Sequence, residues 1–263
     1  MTFTEYAGRR VVVTGCSSGI GLATATTLVE LGAEVIGLSR RKPDLNLAAH
    51  YELDMLSPKS IDHGANEISG RVDALFNCAG ATPTMSSLDI VRVNFLGTRL
   101  LTERMLERMS SGAGVVSVAS SNAHTWHEHV AIIRPFLLTT SYAQGASWYD
   151  EHETEAGHGY PFSKEALVAW TLKLATSLIS GGIRINVVSP GAVQTPLLEQ
   201  SERAFPPEWI ADSQEPIGRP SRADEQVGPL LFANSNSASY LNGANLAVDG
   251  GYTARFWDAE ATK

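Results

Sequence analysis

Tyr160 and Lys164 stand four residues apart in the run Tyr160-Pro161-Phe162-Ser163-Lys164, a spacing that puts both on one face of a helix. A free phenol ionises near pH 10, too high for a good base at neutrality. A neighbouring ammonium, or a cationic ring bound alongside, favours the phenolate and brings it into the range useful for proton transfer. Taken alone, the pair reads equally as an interfacial tyrosine above a solvated lysine. Two more polar residues fit the same chemistry. Ser120 follows an apolar run, where its hydroxyl can meet a substrate oxygen or cap the next turn, a task open also to Ser121 and Asn122. Asn94 interrupts the apolar stretch Val93-Asn94-Phe95-Leu96-Gly97. A buried amide needs partners, so it holds a kink, a water, or both.

A second constellation lies near the start of the chain. The apolar run Val11-Val12-Val13 leads into Thr14-Gly15-Cys16-Ser17-Ser18-Gly19-Ile20-Gly21. A glycine-rich turn from strand to helix lets backbone approach a pyrophosphate, and the helix start offers free N–H groups with a partial positive charge. Gly15 makes the turn, Gly19 admits the phosphate and Gly21 lets helix pack on strand; Ser17, Ser18 and Ile20 complete the cradle. After the second strand comes Ser39-Arg40-Arg41-Lys42, with no carboxylate at the place where an acidic residue accepts the ribose hydroxyls of NAD. Guanidinium groups suit a 2′-phosphate. The run therefore favours NADP, with Arg40 first, Arg41 next to it and Ser39 as a supporting donor. NAD remains the alternative.

These groups need a frame, and short apolar runs alternating with amphipathic stretches supply it. Strands are expected at Arg10–Thr14, 34–38, 51–53, 72–76, 115–118, 183–188 and 244–248, with a helix at 20–31 and a long one carrying Val91, Phe95, Leu101, Met105 and Met109. Alternating strands and helices imply a parallel sheet covered on both faces, with ligands beyond the carboxyl ends of the strands. Residues 1–263 read as a single α/β domain, a doubly wound Rossmann arrangement of seven strands. At 43% hydrophobic residues the chain has core enough without staples, and its two cysteines, Cys16 and Cys78, make no disulfide framework. The net charge of −8 argues against nucleic acid as partner. No run approaches the roughly 20 apolar residues of a membrane helix, and the start lacks a signal-peptide pattern. A cytoplasmic protein is expected.

Together these motifs resemble the short-chain dehydrogenase/reductase family, over nearly the whole chain. The matching pieces are residues 14–21, Asp54, Asn77-Cys78-Ala79-Gly80, Asn94, Ser120, Tyr160 with Lys164, Pro190-Gly191 with Thr195, and Val248-Asp249-Gly250-Gly251. The resemblance implies a catalytic tetrad of Asn94, Ser120, Tyr160 and Lys164, with Lys164 also on the nicotinamide ribose and Asn94 anchoring a relay water. It implies adenine contacts from Asp54 and Met55, a cleft lined by Asn77, Ala79 and Gly80, and a nicotinamide held by Pro190, Gly191, Val193 and Thr195. The implied activity is reversible hydride transfer between NAD(P) and a secondary alcohol, ketone or aromatic alcohol or aldehyde. Family members that use NAD carry aspartate where this chain has Ser39.

The sequence departs from the usual pattern between Ser120 and Tyr160, forty residues apart here. This insertion, residues 121–159, reads as two helices, around Val130–Leu137 and 142–153, and holds five of the seven histidines. Its aromatic residues Trp126, Phe136, Tyr142, Trp148 and Tyr149, with residues 196–209, are expected to wall a hydrophobic substrate pocket, although packing of the insertion onto the body explains each singly. His124, His127 and His129 beside Glu128 lack a convincing ligand spacing, so no metal is expected. Family members assemble through the helices of the Asn94 and Tyr160 positions. An insertion over that surface points to a homo-oligomer that is a dimer rather than a tetramer. The end of the chain, with Phe256 and Trp257, either reaches a partner or frays.

Overall fold

The computed structural model describes residues 3–256. Its centre is a parallel sheet whose strands are short and rich in valine and isoleucine, as burial on both faces demands. Seven strands build it: β1 (Arg10–Thr14), β2 (Glu34–Ser39), β3 (Ala49–Glu52), β4 (Ala74–Asn77), β5 (Gly114–Val118), β6 (Arg184–Pro190) and, after two short strands, β9 (Asn245–Val248). Their order is β3-β2-β1-β4-β5-β6-β9, and every pairing is parallel. The order reverses between β1 and β4, and a ligand crevice opens at such a switch point. The short strands β7 (Val193–Gln194) and β8 (Ser221–Arg222) pair with each other beyond the carboxyl ends. No periodicity marked them in advance, because two-residue strands carry none. The third strand sits two residues earlier than expected, since its register against β2 begins at Ala49 opposite Ile36.

Helices cover both faces. On one side α1 (Gly19–Glu30) and α11 (Ala223–Asn234) pack with Tyr6 on a core of Val11, Val13, Val35, Phe76 and Val116. On the other lie α2 (Pro58–Glu67), the α3–α4 rod (Ser87–Val91 and Thr98–Leu106) and α8 (Gly159–Leu178), packed on Val12, Ile36, Leu75 and Val115. The rod contains a π-helical stretch, Arg92–Gly97, between α3 and α4, and Asn94 lies within it. Widened turns of this kind gather at functional sites. Met109 falls beyond the rod, which stops at Leu106. Among the described residues, no helix is long and apolar enough to cross a membrane.

The insertion forms α5 (Val130–Leu137), α6 (Tyr142–Glu151) and α7 (Glu153–Ala156). It lies against the outer side of the rod and α8. Phe136 is fully buried, its ring 4.9 Å from Phe95, 5.1 Å from Phe162 and 5.4 Å from Trp148. Arg99 on the rod donates to the carbonyls of Thr139 (3.0 Å) and Ser141 (3.1 Å). Tyr142 reaches across to donate toward the carbonyls of Met55 and Leu56, 3.2 and 3.0 Å away. The aromatic residues therefore fasten the insertion to the body. That overturns their expected place in the substrate wall: large apolar rings gain more by full burial between helices than at a wet rim. Two more helices, α9 (Pro196–Ala204) and α10 (Pro207–Asp212), arch over the carboxyl end of the sheet.

Candidate active site

A cavity of about 710 Å³ runs along the carboxyl ends of the central strands, within the size range of small-molecule sites. Of the residues expected there, Gly15, Ser17, Ser18, Gly19, Ile20, Ser39, Arg40, Asp54, Met55, Ala79, Gly80, Ser120, Tyr160, Lys164, Pro190, Gly191, Val193 and Thr195 all line it. Gly21, Arg41, Asn77 and Asn94 do not.

Gly15 has φ of +66°, and a Cβ there would come within 2.9 Å of the Ala79 backbone, so β1 can turn only on glycine. Gly21 supports the cradle from behind: a Cβ would collide with the Gly15 carbonyl, so its bare backbone lets α1 close onto the turn. Thr14 Oγ1 accepts from the N–H groups of Cys78 and Ala79, both at 2.9 Å, which stitches the end of β1 to the end of β4. The Ser18 hydroxyl at the N-cap of α1 makes no cap hydrogen bond. The helix start thus keeps N–H donors and a partial positive charge for an anion, the fit a dinucleotide pyrophosphate needs.

At the far end of β2, Ser39 is buried and its hydroxyl is fully engaged. It donates to the Arg41 carbonyl (2.7 Å) and meets His50 Nε2 at 3.0 Å and Cys16 Sγ at 3.2 Å. A hydroxyl has one hydrogen, and that hydrogen goes to Arg41, so His50 and Cys16 are the donors. Ser39 therefore shapes the turn instead of offering a proton to a ligand. Arg40 faces the cavity, whereas Arg41 is exposed away from it. His50 is the part the sequence did not disclose: it sits on β3, opposite Gly37 in the register, with no motif to mark it.

The proton-transfer group is assembled from two elements, the end of β5 and the start of α8. Ser120 follows β5, and its hydroxyl accepts from Asn122 N–H at 3.2 Å, capping the next turn, while its own hydrogen is directed to the Tyr160 phenol. Capping and substrate contact coexist. Tyr160 and Lys164 lie on the first turns of α8, with Nζ 5.9 Å from the phenol ring centre. Lys164 is buried and donates to the Val118 carbonyl at 2.9 Å. An ammonium has three hydrogens, so two remain for a ribose. Burial lowers the lysine to about 8, opposed by Cys78. Burial pushes the Tyr160 phenol up, and the Ser120 hydroxyl pulls it down. The sequence led us to expect a phenol lowered by Lys164; in the protein alone desolvation dominates.

Asn94 works from behind. Its side-chain oxygen accepts from Ala81 N–H at 2.7 Å and its amide donates to Ser163 Oγ at 3.2 Å, which in turn donates to the Tyr160 carbonyl at 2.9 Å. It ties the floor of the cleft to the turn of α8 between Tyr160 and Lys164. Asn77 is turned into the sheet and donates to Thr102 (2.9 Å) and Ser117 (3.1 Å). Its side chain secures β4 and β5 below the cavity.

The remaining wall is apolar. Met85 and Val93 stand on one side, with Leu197, Leu198, Phe205, Trp209 and Ile210 from α9 and α10 on the other. From the insertion only its ends, Ser121, Asn122 and His158, take part. The three clustered histidines go separate ways. His129 meets both Glu165 oxygens at 2.9 Å, His124 stacks on Phe256 at 4.7 Å, and His127 is exposed. Phe256 thereby holds the end of the described chain onto the segment after Ser120; Trp257 lies outside the described residues.

Comparison with known proteins agrees with this geometry. The family profile described as "short chain dehydrogenase" matches residues 9–132, and a related one described as "Enoyl-(Acyl carrier protein) reductase" matches residues 137–253. The chain is 31% identical over 253 residues to a coniferyl-alcohol dehydrogenase of Pseudomonas sp. (strain HR199 / DSM 7063), covering 96% of this chain and 99% of that one. It is likewise 31% identical to a 3-alpha-hydroxysteroid dehydrogenase/carbonyl reductase of Comamonas testosteroni, covering 93% and 96%. Among solved structures, the 3-alpha-hydroxysteroid dehydrogenase from Pseudomonas sp. B-0831 complexed with NADH superposes with a TM-score of 0.79 at 28% identity, covering 95% and 98%. The chain belongs to the short-chain dehydrogenase/reductase family and is an NAD(P)-dependent oxidoreductase acting on CH–OH groups.

Proposed function

We propose that the protein is an NADP-dependent alcohol dehydrogenase/carbonyl reductase for hydrophobic or aromatic alcohols, ketones and aldehydes. The observation that carries this reading is the convergence of Ser120, Tyr160 and Lys164 on one cavity whose other end holds the glycine turn and Arg40. Bound nicotinamide supplies the hydride acceptor or donor. Ser120, whose hydroxyl turns from the Tyr160 phenol to a bound substrate, donates to the substrate oxygen and holds it beside Tyr160. Tyr160 takes the hydroxyl proton during oxidation and returns it during reduction. Lys164 holds the ribose hydroxyls with its two remaining hydrogens, and its charge stabilises the phenolate as it forms. Asn94 keeps the turn of α8 in place.

Arg40 on the cavity wall supports NADP, since a guanidinium pairs with a phosphate dianion. The same chemistry with NAD is the second reading. It is favoured by the engaged Ser39 hydroxyl, which leaves Arg40 as the 2′-phosphate donor, and by a relative solved with NADH. Two relatives named for coniferyl alcohol and for hydroxysteroids and carbonyls support flat, apolar substrates. The free thiols Cys16 and Cys78 fit a reducing compartment, the cytoplasm. The insertion covers the rod and α8, so a homodimer would form through another surface. The test is oxidation of NADPH and NADH followed at 340 nm with aromatic aldehydes and cyclic ketones. NADPH-dependent turnover with at least one is expected, and no turnover with either cofactor would refute the assignment.

A further inference from the structure

We infer that the substrate end of the cleft selects uncharged alcohols and carbonyls and rejects those bearing a carboxylate. This rests on the reductase reading above and narrows it to a substrate class. Among the described residues, the charged side chains lining the cavity are Arg40, Asp54 and Lys164. The first two stand at the adenosine end. Lys164 lies under Tyr160, donating to Val118 and placed for the ribose.

Beyond the reacting oxygen the walls are Met85, Leu198, Phe205, Trp209 and Ile210; Ser121 and Asn122 beside Ser120 add uncharged polar groups, and the two serines of the far wall are already occupied. Ser201 Oγ donates to the Leu197 carbonyl at 3.1 Å, and Ser213 Oγ to the Ile210 carbonyl at 2.6 Å. Neither hydroxyl has a hydrogen left for an anion. His158 accepts the Tyr160 N–H on Nδ1 at 3.2 Å, which leaves its Nε2 at the rim.

The arginines of the surrounding segments are held elsewhere. Arg219 pairs with Glu225 at 2.8 Å, Arg222 with Asp224 at 3.0 Å, and Arg255 with Asp212. Arg203 is exposed on α9 and does not line the cavity. A carboxylate entering this space would lose its water and find no counter-charge, which disfavours it strongly. A neutral apolar or aromatic group meets only favourable contacts there.

The experiment compares kcat/KM, with NADPH in excess, for benzaldehyde, 4-formylbenzoate and methyl 4-formylbenzoate. The ester separates charge from bulk. The ester is expected within tenfold of benzaldehyde, and the carboxylate at least 100-fold below the ester. Ser213→Lys is expected to raise the carboxylate at least tenfold without improving the ester. A carboxylate turned over within a few-fold of the ester by the unmodified enzyme overturns the inference while leaving the reductase reading intact. No turnover of any of the three, nor of cyclohexanone, removes the reductase reading and the inference with it.

Discussion

Replacing Lys164 with methionine should make the protein more stable and inactive, because the lysine is a cation held largely out of water at the cavity wall. It is 5% exposed, and burial brings its pKa from 10.5 down to about 8. At about 1.4 kcal/mol per pH unit, keeping it charged at pH 7 costs the fold roughly 3 kcal/mol. Methionine has a similar length and no charge. It forfeits the hydrogen bond from the ammonium to Val118, worth about 1.5–3 kcal/mol. The balance is a gain of up to about 1.5 kcal/mol, or a few degrees in Tm for a chain of this size. The sign with pH is set by the folded pKa lying below the unfolded one. Below about 8 the lysine is charged in both states and the full penalty applies. Between about 8 and 10.5 the unfolded chain binds the extra proton, so the unmodified protein gains stability as pH rises. The advantage of Lys164→Met should therefore be full at pH 7 and shrink toward pH 10. Urea unfolding of both proteins without cofactor, at pH 7 and 9.5, measures it. A variant less stable at pH 7, or a difference that does not change with pH, would refute the reasoning.

Arg40→Ala should raise KM for NADPH about 10- to 100-fold, the worth of one or two charge-assisted hydrogen bonds, and leave KM for NADH unchanged; parallel steady-state kinetics check both. Phe136→Ala removes a fully buried ring at the meeting of Phe95, Trp148 and Phe162. It should cost about 3–5 kcal/mol in denaturant unfolding, with hydrogen exchange rising first in α5 and α6.

Local chemistry made much of the site legible. Gly15 announced itself because a turn that close to Ala79 tolerates no side chain, Gly21 because α1 closes onto the Gly15 carbonyl, and the order of Asn94, Ser120, Tyr160 and Lys164 on alternating elements placed them at one end of a sheet. What stayed hidden depends on contacts distant in sequence. The Ser39 hydroxyl reads as a free donor until the turn after β2, met by His50 from distant β3, brings the Arg41 carbonyl to its hydrogen. Trp148 and Phe136 look like pocket walls until the insertion is seen lying on the rod and α8, because aromatic composition does not say which surface a ring will cover. The expected lowering of the Tyr160 phenol weighed the nearby cation but not the loss of water, and in the folded chain the second effect is larger.

The most direct test of the account is Tyr160→Phe, which deletes one oxygen from the cavity and leaves its packing in place. Titration of NADPH by fluorescence and turnover of an aromatic aldehyde should be measured on the same preparation. The account predicts a dissociation constant within about threefold of the unmodified enzyme, with turnover lowered at least 1000-fold, toward the upper part of the roughly 10²–10⁴-fold a general acid supplies, because the phenol also positions the substrate oxygen. Turnover that survives within tenfold, with the cofactor still bound, would contradict it.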